Sequence, residues 1–333
     1  MLKPAFLALD KPVGVRSTQC VEDVRRALER TENFCSGHER RGGLVGRVRR
    51  GVKVGHGGTL DSSASGLLVV LVAGATRLSG IVMSMPKTYR VVVRLGAETS
   101  TCDYTGEELF SSDWSGVGTA EVDAVLPSLL GWRMQTPPKA SAVHVGGRRA
   151  HEIMRAGGDP DIAPRPVFIE WIKRLGSVSF EGDFSLLIRC GKGTYIRSIV
   201  RDIGRALGCG AHVSSLVRES VGPFTRRDAL RLDAESGLNP DKLLEAMTPV
   251  TILEEFLPAY SMPEDDMLRL SNGLCAFFSH ASRRSFGKFP PPGAMAFVSQ
   301  RFFSIGRVER RDGALCVMPD VNIINTGKVD IGE

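Results

Sequence analysis

The sequence predicts an α+β fold: a mixed, largely antiparallel sheet core, followed by a small β-rich C-terminal domain. Helical and strand patterns alternate along the 333 residues without the strict strand–helix–strand rhythm of a doubly wound parallel sheet. The texture changes after residue 250, where Pro258, Pro263 and the run Pro290-Pro291-Pro292-Gly293 interrupt the pattern. Short strand candidates follow, with Asp312-Gly313 as a hairpin turn between the last two. These observations divide the chain into a catalytic-sized domain over 1–250 and a second domain over 258–333.

Residues 5 to 9 read as a strand ending at Asp10-Lys11-Pro12-Val13-Gly14, where proline and glycine impose a turn. Ser17 then reads as the N-cap of a helix with Val21, Val24 and Leu28 on one apolar face. Residues 31 to 53 form an insertion in which Arg40, Arg41, Arg47, Arg49, Arg50 and Lys53 are interleaved with glycines. That is the composition of a basic loop able to lie along phosphates, and equally of a solvated surface loop. The run 67 to 72 is short, apolar and β-branched, and 89 to 95 alternates, so both read as strands. Helical patterns near 119–130, 149–156 and 194–207 are interspersed with strands near 166–179, 184–190 and 213–218. In the tail, 295–298, 303–307 and 315–318 read as strands.

Hydrophobic residues at 42% and charged residues at 24% describe a folded, soluble protein rather than a disordered or fibrous one. A net charge of +6 favours a polyanionic partner without requiring one. Seven scattered cysteines with no C-x-x-C pair indicate neither a disulfide framework nor a zinc site, and fit a reducing cytoplasm. Cys35-x-x-His38 has ligand-like spacing but no second ligand pair. The first residues become charged too soon for a secretory signal, and no stretch approaches membrane-spanning length.

Chemistry concentrates in two places. Residues 54–68 hold a glycine-rich loop that presents His56 and Asp61 just before the apolar run. A carboxylate so placed can act as nucleophile or general base, or it can simply cap backbone amides. Residues 190–200 follow a strand and open a helix, with Tyr195 and Arg197 at its start. The glycines there match no phosphate-binding fingerprint. An arginine can hold a carboxylate ionised through two parallel hydrogen bonds, or sit at the surface.

These residues carry a resemblance. Gly55-His56-Gly57-Gly58-Thr59-Leu60-Asp61 is similar to the Gly-His-x-Gly-Thr-Leu-Asp signature of TruB-family pseudouridine synthases, continued by Ser65-Gly66-Leu67-Leu68. Further blocks follow the family's order: Lys11-Pro12-x-Gly14, Lys87-Thr88-Tyr89, Thr99 with Thr101, Asp103 and Gly106, and Gln135-Thr136-Pro137-Pro138. Gly193-Thr194-Tyr195-Ile196-Arg197-Ser198 and Ala211-His212-Val213 through Leu216 and Arg218 complete the set. In the tail, 268–273 and 304–308 resemble a PUA module.

The resemblance implies a pseudouridine synthase sheet core and a PUA-like RNA-binding tail. It also implies a monomeric, cytoplasmic isomerase that converts the uridine at position 55, in the tRNA T-loop, without cofactor, metal or protein partner. It assigns catalysis to Asp61 as nucleophile, Arg197 as its orienting partner and Tyr195 in the pocket, and substrate contact to His56, Tyr89, Leu216 and Lys11. Three positions depart from the family pattern: Ser62 stands in place of a proline, Gly57 in place of a common threonine, and Ala140 in place of a bulkier residue. A related enzyme acting on another RNA or inside a ribonucleoprotein, a non-catalytic tRNA-folding chaperone, and a glycosidase are the alternatives. The last lacks an identified carboxylate pair.

Overall fold

The computed structural model describes residues 2–30, 51–232, 238–285 and 294–324. Most of the basic insertion, residues 31–50, and the proline turn at 290–293 lie outside the described residues. Two compact units make up the chain: one of residues 1–61, 66–85 and 221–333, the other of residues 62–65 and 86–220.

In the first unit, strand Ala5–Lys11 runs antiparallel to strand Ser65–Val72 over its full length, from Ala5 opposite Val72 to Lys11 opposite Gly66. Strand Leu230–Arg231 joins it in parallel, strand Met247–Pro249 antiparallel, and strand Val54–His56 pairs with 65–72. The run 67 to 72 is apolar throughout because both of its faces are covered. Leu68, Val70 and Val72 pack with Cys20, Val21, Val24 and Leu28 of helix Ser17–Glu29. Leu67, Val69 and Leu71 share a core with Ala296, Val298, Phe303 and Ile305 of the C-terminal sheet.

That sheet has the strand order Ala276–Phe277, Ala314–Ile324, Phe302–Arg311, Met295–Val298, Ala259–Ser261, Ser282–Ser285. Phe297, Phe302 and Val317 pack with Met267 and Leu270 of helix Glu264–Ser271. The long hairpin turns at Asp312 and Gly313, with φ of 48° and 81°, the left-handed pair that a two-residue connection demands. The prolines near 258 and 263 therefore mark a change of local structure, while the apolar core runs on from the N-terminal strands into the tail.

In the second unit five strands lie in the order Ala211–Val221, Lys87–Leu95, Asp183–Cys190, Arg165–Leu175, Gly131–Gln135, the last four antiparallel to one another in turn. Helix Ile196–Ala206 buries Ile196, Ile199, Val200 and Ile203. A β-carbon on Gly204 would lie 2.1 Å from the Ala211 amide nitrogen, so the helix sits against that backbone because position 204 has no side chain. The 119–130 pattern forms helix Thr119–Val125 and then tightens into the 3-10 turn Leu126–Leu129, where Pro127 has no amide hydrogen to continue the α pattern. No helix among the described residues is long and apolar enough to cross a membrane.

Candidate active site

In the first unit the loop bearing Asp61 connects strands Val54–His56 and Ser65–Val72, and it leaves the sheet at Gly57, whose amide still donates to the Val69 carbonyl at 2.8 Å. A β-carbon at position 57 would come within 2.2 Å of Val82 Cγ1, so in this chain Val82 occupies the room that a threonine there would need. The Gly58 amide donates to His56 Nδ1 at 3.3 Å, which assigns the proton of a neutral His56 ring to Nε2. Gly58 itself adopts a φ of 124°, and glycine meets that conformation without strain. His56 also lines, with Thr18, Arg25 and Ser79, a cleft of about 420 Å³.

The residue before the aspartate is held from a distance. Ser17 Oγ accepts the Leu60 amide and donates to the Leu60 carbonyl, both at 2.9 Å, and both residues are buried. The N-cap of the helix is Arg16 rather than the expected Ser17, and it makes no side-chain capping bond. The Ser17 hydroxyl is committed to Leu60, 43 residues away, and so cannot cap its own helix. Asp61 follows, partly exposed.

In the second unit Arg197 is buried in the first turn of its helix. Its guanidinium donates to the carbonyls of Thr101 and Ala140 at 2.9 and 3.0 Å, and Asp103 lies 3.8 Å away. Position 140 thus contributes through its backbone carbonyl, which any residue there would supply. Burial pushes the Asp103 carboxyl up, but hydrogen bonds from Thr101 and Thr105, with the charge of Arg197, bring it below its ordinary value. Asp103 also accepts from Ser63 Oγ at 3.0 Å, so the segment just after the aspartate loop is fastened to the carboxylate beside Arg197. Asp103 stood in a recognised block without an assigned function, and only its buried contacts reveal its connection to Arg197.

Tyr195 forms the N-cap of the same helix, and the Gln135 side chain binds it at both backbone groups. Its amide donates to Gln135 Oε1 at 2.9 Å and its carbonyl accepts from Gln135 Nε2 at 3.2 Å. Tyr89 is half-buried on strand Lys87–Leu95, and Leu216 is buried on strand Ala211–Val221. Lys87, two residues before Tyr89, is lowered from its ordinary 10.5 to about 8, first by burial and then by the charge of Arg218. Lys11, expected at the substrate, is fully buried in the first unit, where its ammonium donates to the carbonyls of Pro12 and Val15 at 2.8 Å and fastens the turn before helix Ser17–Glu29. Among the described residues no cluster of three or more His, Cys, Asp or Glu is placed to hold a metal ion.

Residues 47–196 match the family described as TruB family pseudouridylate synthase (N terminal domain), and residues 197–247 that described as tRNA pseudouridylate synthase B C-terminal domain. A tRNA pseudouridine synthase B of Corynebacterium glutamicum is 37% identical over 261 residues, covering 76% of this chain and 80% of that protein. The protein of the same name from Paracoccus denitrificans is 36% identical, over 80% of this chain and 82% of its own. Among solved structures, a Cbf5-Nop10-Gar1 complex aligns over 96% of this chain and 84% of its own, with a TM-score of 0.66 and 22% identity. An H/ACA RNP bound to a substrate RNA containing 2′-deoxyuridine aligns over the same shares with a TM-score of 0.63 and 18% identity. At such identities the likeness concerns the fold, and it extends over the C-terminal sheet. The matched sequence families run through both the aspartate loop and the arginine helix, and the chain belongs to the TruB family of pseudouridylate synthases.

Proposed function

We propose that this chain isomerises the T-loop uridine of tRNA, position 55, to pseudouridine, acting alone as a cytoplasmic monomer with Asp61 as the nucleophile. The observation that carries the proposal is the identity of 36% and 37% to proteins named tRNA pseudouridine synthase B, over about four fifths of their length, with the aspartate loop inside the matched region.

The reaction breaks the bond between sugar C1′ and uracil N1, turns the base and joins C5 to C1′, with C5 losing a proton and the freed N1 gaining one. Atoms and electrons balance without a redox partner, so the chemistry asks for a carboxylate, a positive charge and a pocket for the base. The base must leave its stack to be reached. Asp61 supplies the carboxylate, by direct attack on C1′ or by assisting glycal formation. Arg197 supplies the charge that orients it, Tyr89 stacks on the uracil, Tyr195 and Leu216 line the pocket, and His56 fills the space that the flipped nucleotide leaves. Lys11 fastens its turn and is the remaining substrate contact that the resemblance implies. The 258–333 segment, as a PUA-like domain, and the basic insertion around 31–53 add phosphate contacts, consistent with the net charge of +6.

The test is incubation of the purified chain with an unmodified tRNA transcript and no guide RNA, followed by carbodiimide mapping of pseudouridine. Signal at the T-loop uridine with wild type and none with Asp61→Asn supports the proposal. Tight binding without signal moves the activity to another RNA, to a ribonucleoprotein, or to a chaperone.

A further inference from the structure

Strand Gly131–Gln135 lies at one edge of the second unit's sheet, and its two faces do different things. Inward, Gln135 holds Tyr195 at the start of the arginine helix. Outward, Trp132 is 76% exposed and Met134 60% exposed, an unusual display of apolar surface on one short strand. Phe168 lies directly opposite Trp132 in register and is 37% exposed, and the two rings are 5.4 Å apart at 47°. A core would bury this pair, and as a solitary surface residue Trp132 would have no aromatic neighbour.

A cation lies close to the pair: Lys192 is exposed. Lys192 follows Gly191, whose amide donates to the Phe168 carbonyl at 2.8 Å. The acid along the strand of Phe168, Glu170, is already paired with Arg189 at 2.8 Å. Exposed aromatic faces beside cations are the combination that takes up an unpaired nucleotide, with the base on the ring and the phosphate on the charge.

We infer that Trp132 and Phe168, with Lys192 beside them, form a stacking platform for an unpaired nucleotide of the substrate RNA distinct from the uridine that reacts. The platform rests on the reading of the substrate given above. Trp132 is three residues from Gln135, about 10 Å along an extended strand, and on its opposite face. It therefore adds affinity for the RNA without entering the chemistry.

The experiment measures tRNA-transcript affinity, turnover and sedimentation for wild type and for Trp132→Ala, Trp132→Leu, Trp132→Phe and Lys192→Gln. The high exposure of Trp132 leaves the fold little affected by these changes. Loss of the ring in Trp132→Ala and Trp132→Leu is expected to weaken binding roughly 5- to 150-fold, the range of one lost base–aromatic stack. Turnover at saturating RNA is expected to stay within two-fold, and Trp132→Phe to restore most of the affinity. Lys192→Gln is expected to lower the salt slope of binding by about one.

Wild-type affinity in Trp132→Leu overturns the platform, because leucine keeps apolar area and removes only the aromatic face. A concentration-dependent dimer abolished by Trp132→Ala, with RNA affinity unchanged, overturns it too and gives the surface to a second copy of the chain. Wild type that converts the transcript while Trp132→Ala binds normally rejects the platform alone. Wild type that neither binds nor converts it rejects the platform and the substrate together.

Discussion

The loop that carries Asp61 and the helix that carries Arg197 are positioned by opposite means. Up to Asp61 the loop is fixed by neutral hydrogen bonds: Ser17 on Leu60, Gly58 on His56, Gly57 on Val69. The helix is fixed by apolar packing through Ile196, Ile199, Val200 and Ile203, and its charged residue sits in a buried ionic environment with Asp103. A loop that carries the proposed nucleophile and must admit a nucleotide cannot be covered by core, so its geometry depends on a few bonds. A buried guanidinium has no water to satisfy it, so its geometry depends on carbonyls and a carboxylate arranged around it. Substitutions in the loop should therefore act mainly on chemistry, and substitutions around Arg197 mainly on stability.

The most severe break in that contrast is Asp61→Asn. Removing the nucleophile is expected to reduce isomerisation by roughly 10⁴-fold or more, while RNA affinity and unfolding midpoint stay near wild type. Single-turnover assays beside urea unfolding check this, and near-normal turnover would refute the nucleophile assignment.

Asp103→Ala tests the other side. It removes the carboxylate 3.8 Å from a guanidinium whose side chain is only 7% exposed, and strands the hydroxyls of Thr101 and Thr105. The expected cost is about 3–5 kcal/mol of unfolding free energy, read from urea titration. A loss below about 1 kcal/mol would mean that Arg197 is satisfied without it.

Lys87 sharpens the same comparison through pH. Its folded-state value of about 8 lies below the ordinary 10.5, so between those limits the unfolded chain holds more protons than the folded one. Stability should therefore rise with pH across that window, and below it the whole cost of the buried charge is present. Lys87→Met should stabilise the chain by about 2–3 kcal/mol at pH 7, with the advantage fading as pH approaches 10.5. Urea midpoints of both proteins at pH 7 and pH 10 give the answer; a constant difference would show that Lys87 does not titrate there.

How much of this was legible in the sequence follows from the range of each signal. The glycines around His56 and Asp61 mark a loop wherever it folds, and the unbroken apolar run of 67 to 72 marks a strand covered on both faces. The hairpin at Asp312-Gly313 is equally local. What stayed hidden depends on distant partners. A serine before an apolar helix reads as a cap because its hydroxyl is the group that caps, and only the fold reveals that Leu60 has taken it. Gln135 and Asp103 lie within recognised blocks, but their contacts with Tyr195 and Arg197 span 60 residues in one case and still more in the other. The burial of Lys11 and its bonds to the Pro12 and Val15 carbonyls are likewise reported by nothing local.

The smallest effect separates the two means of positioning within a single bond type. Ser17 and Gln135 do the same work, each binding both the amide and the carbonyl of a residue at the site, Leu60 in the loop and Tyr195 at the helix start. Ser17→Ala leaves the buried Leu60 amide and carbonyl without that partner, at a cost of about 1–2 kcal/mol. Gln135→Ala should cost a similar amount, yet the packed face of helix Ile196–Ala206 remains to hold Tyr195. Ser17→Ala is therefore expected to lower kcat about ten-fold with KM little changed, because a displaced loop loses attack geometry rather than RNA contacts. Ser17→Thr, which keeps the hydroxyl, should recover most of the rate. Gln135→Ala should lower kcat less than three-fold at the same loss of stability. Equal kcat losses in the two variants would mean that packing contributes nothing to placing Tyr195, and the distinction between loop and helix would fail at the point where it is most directly compared.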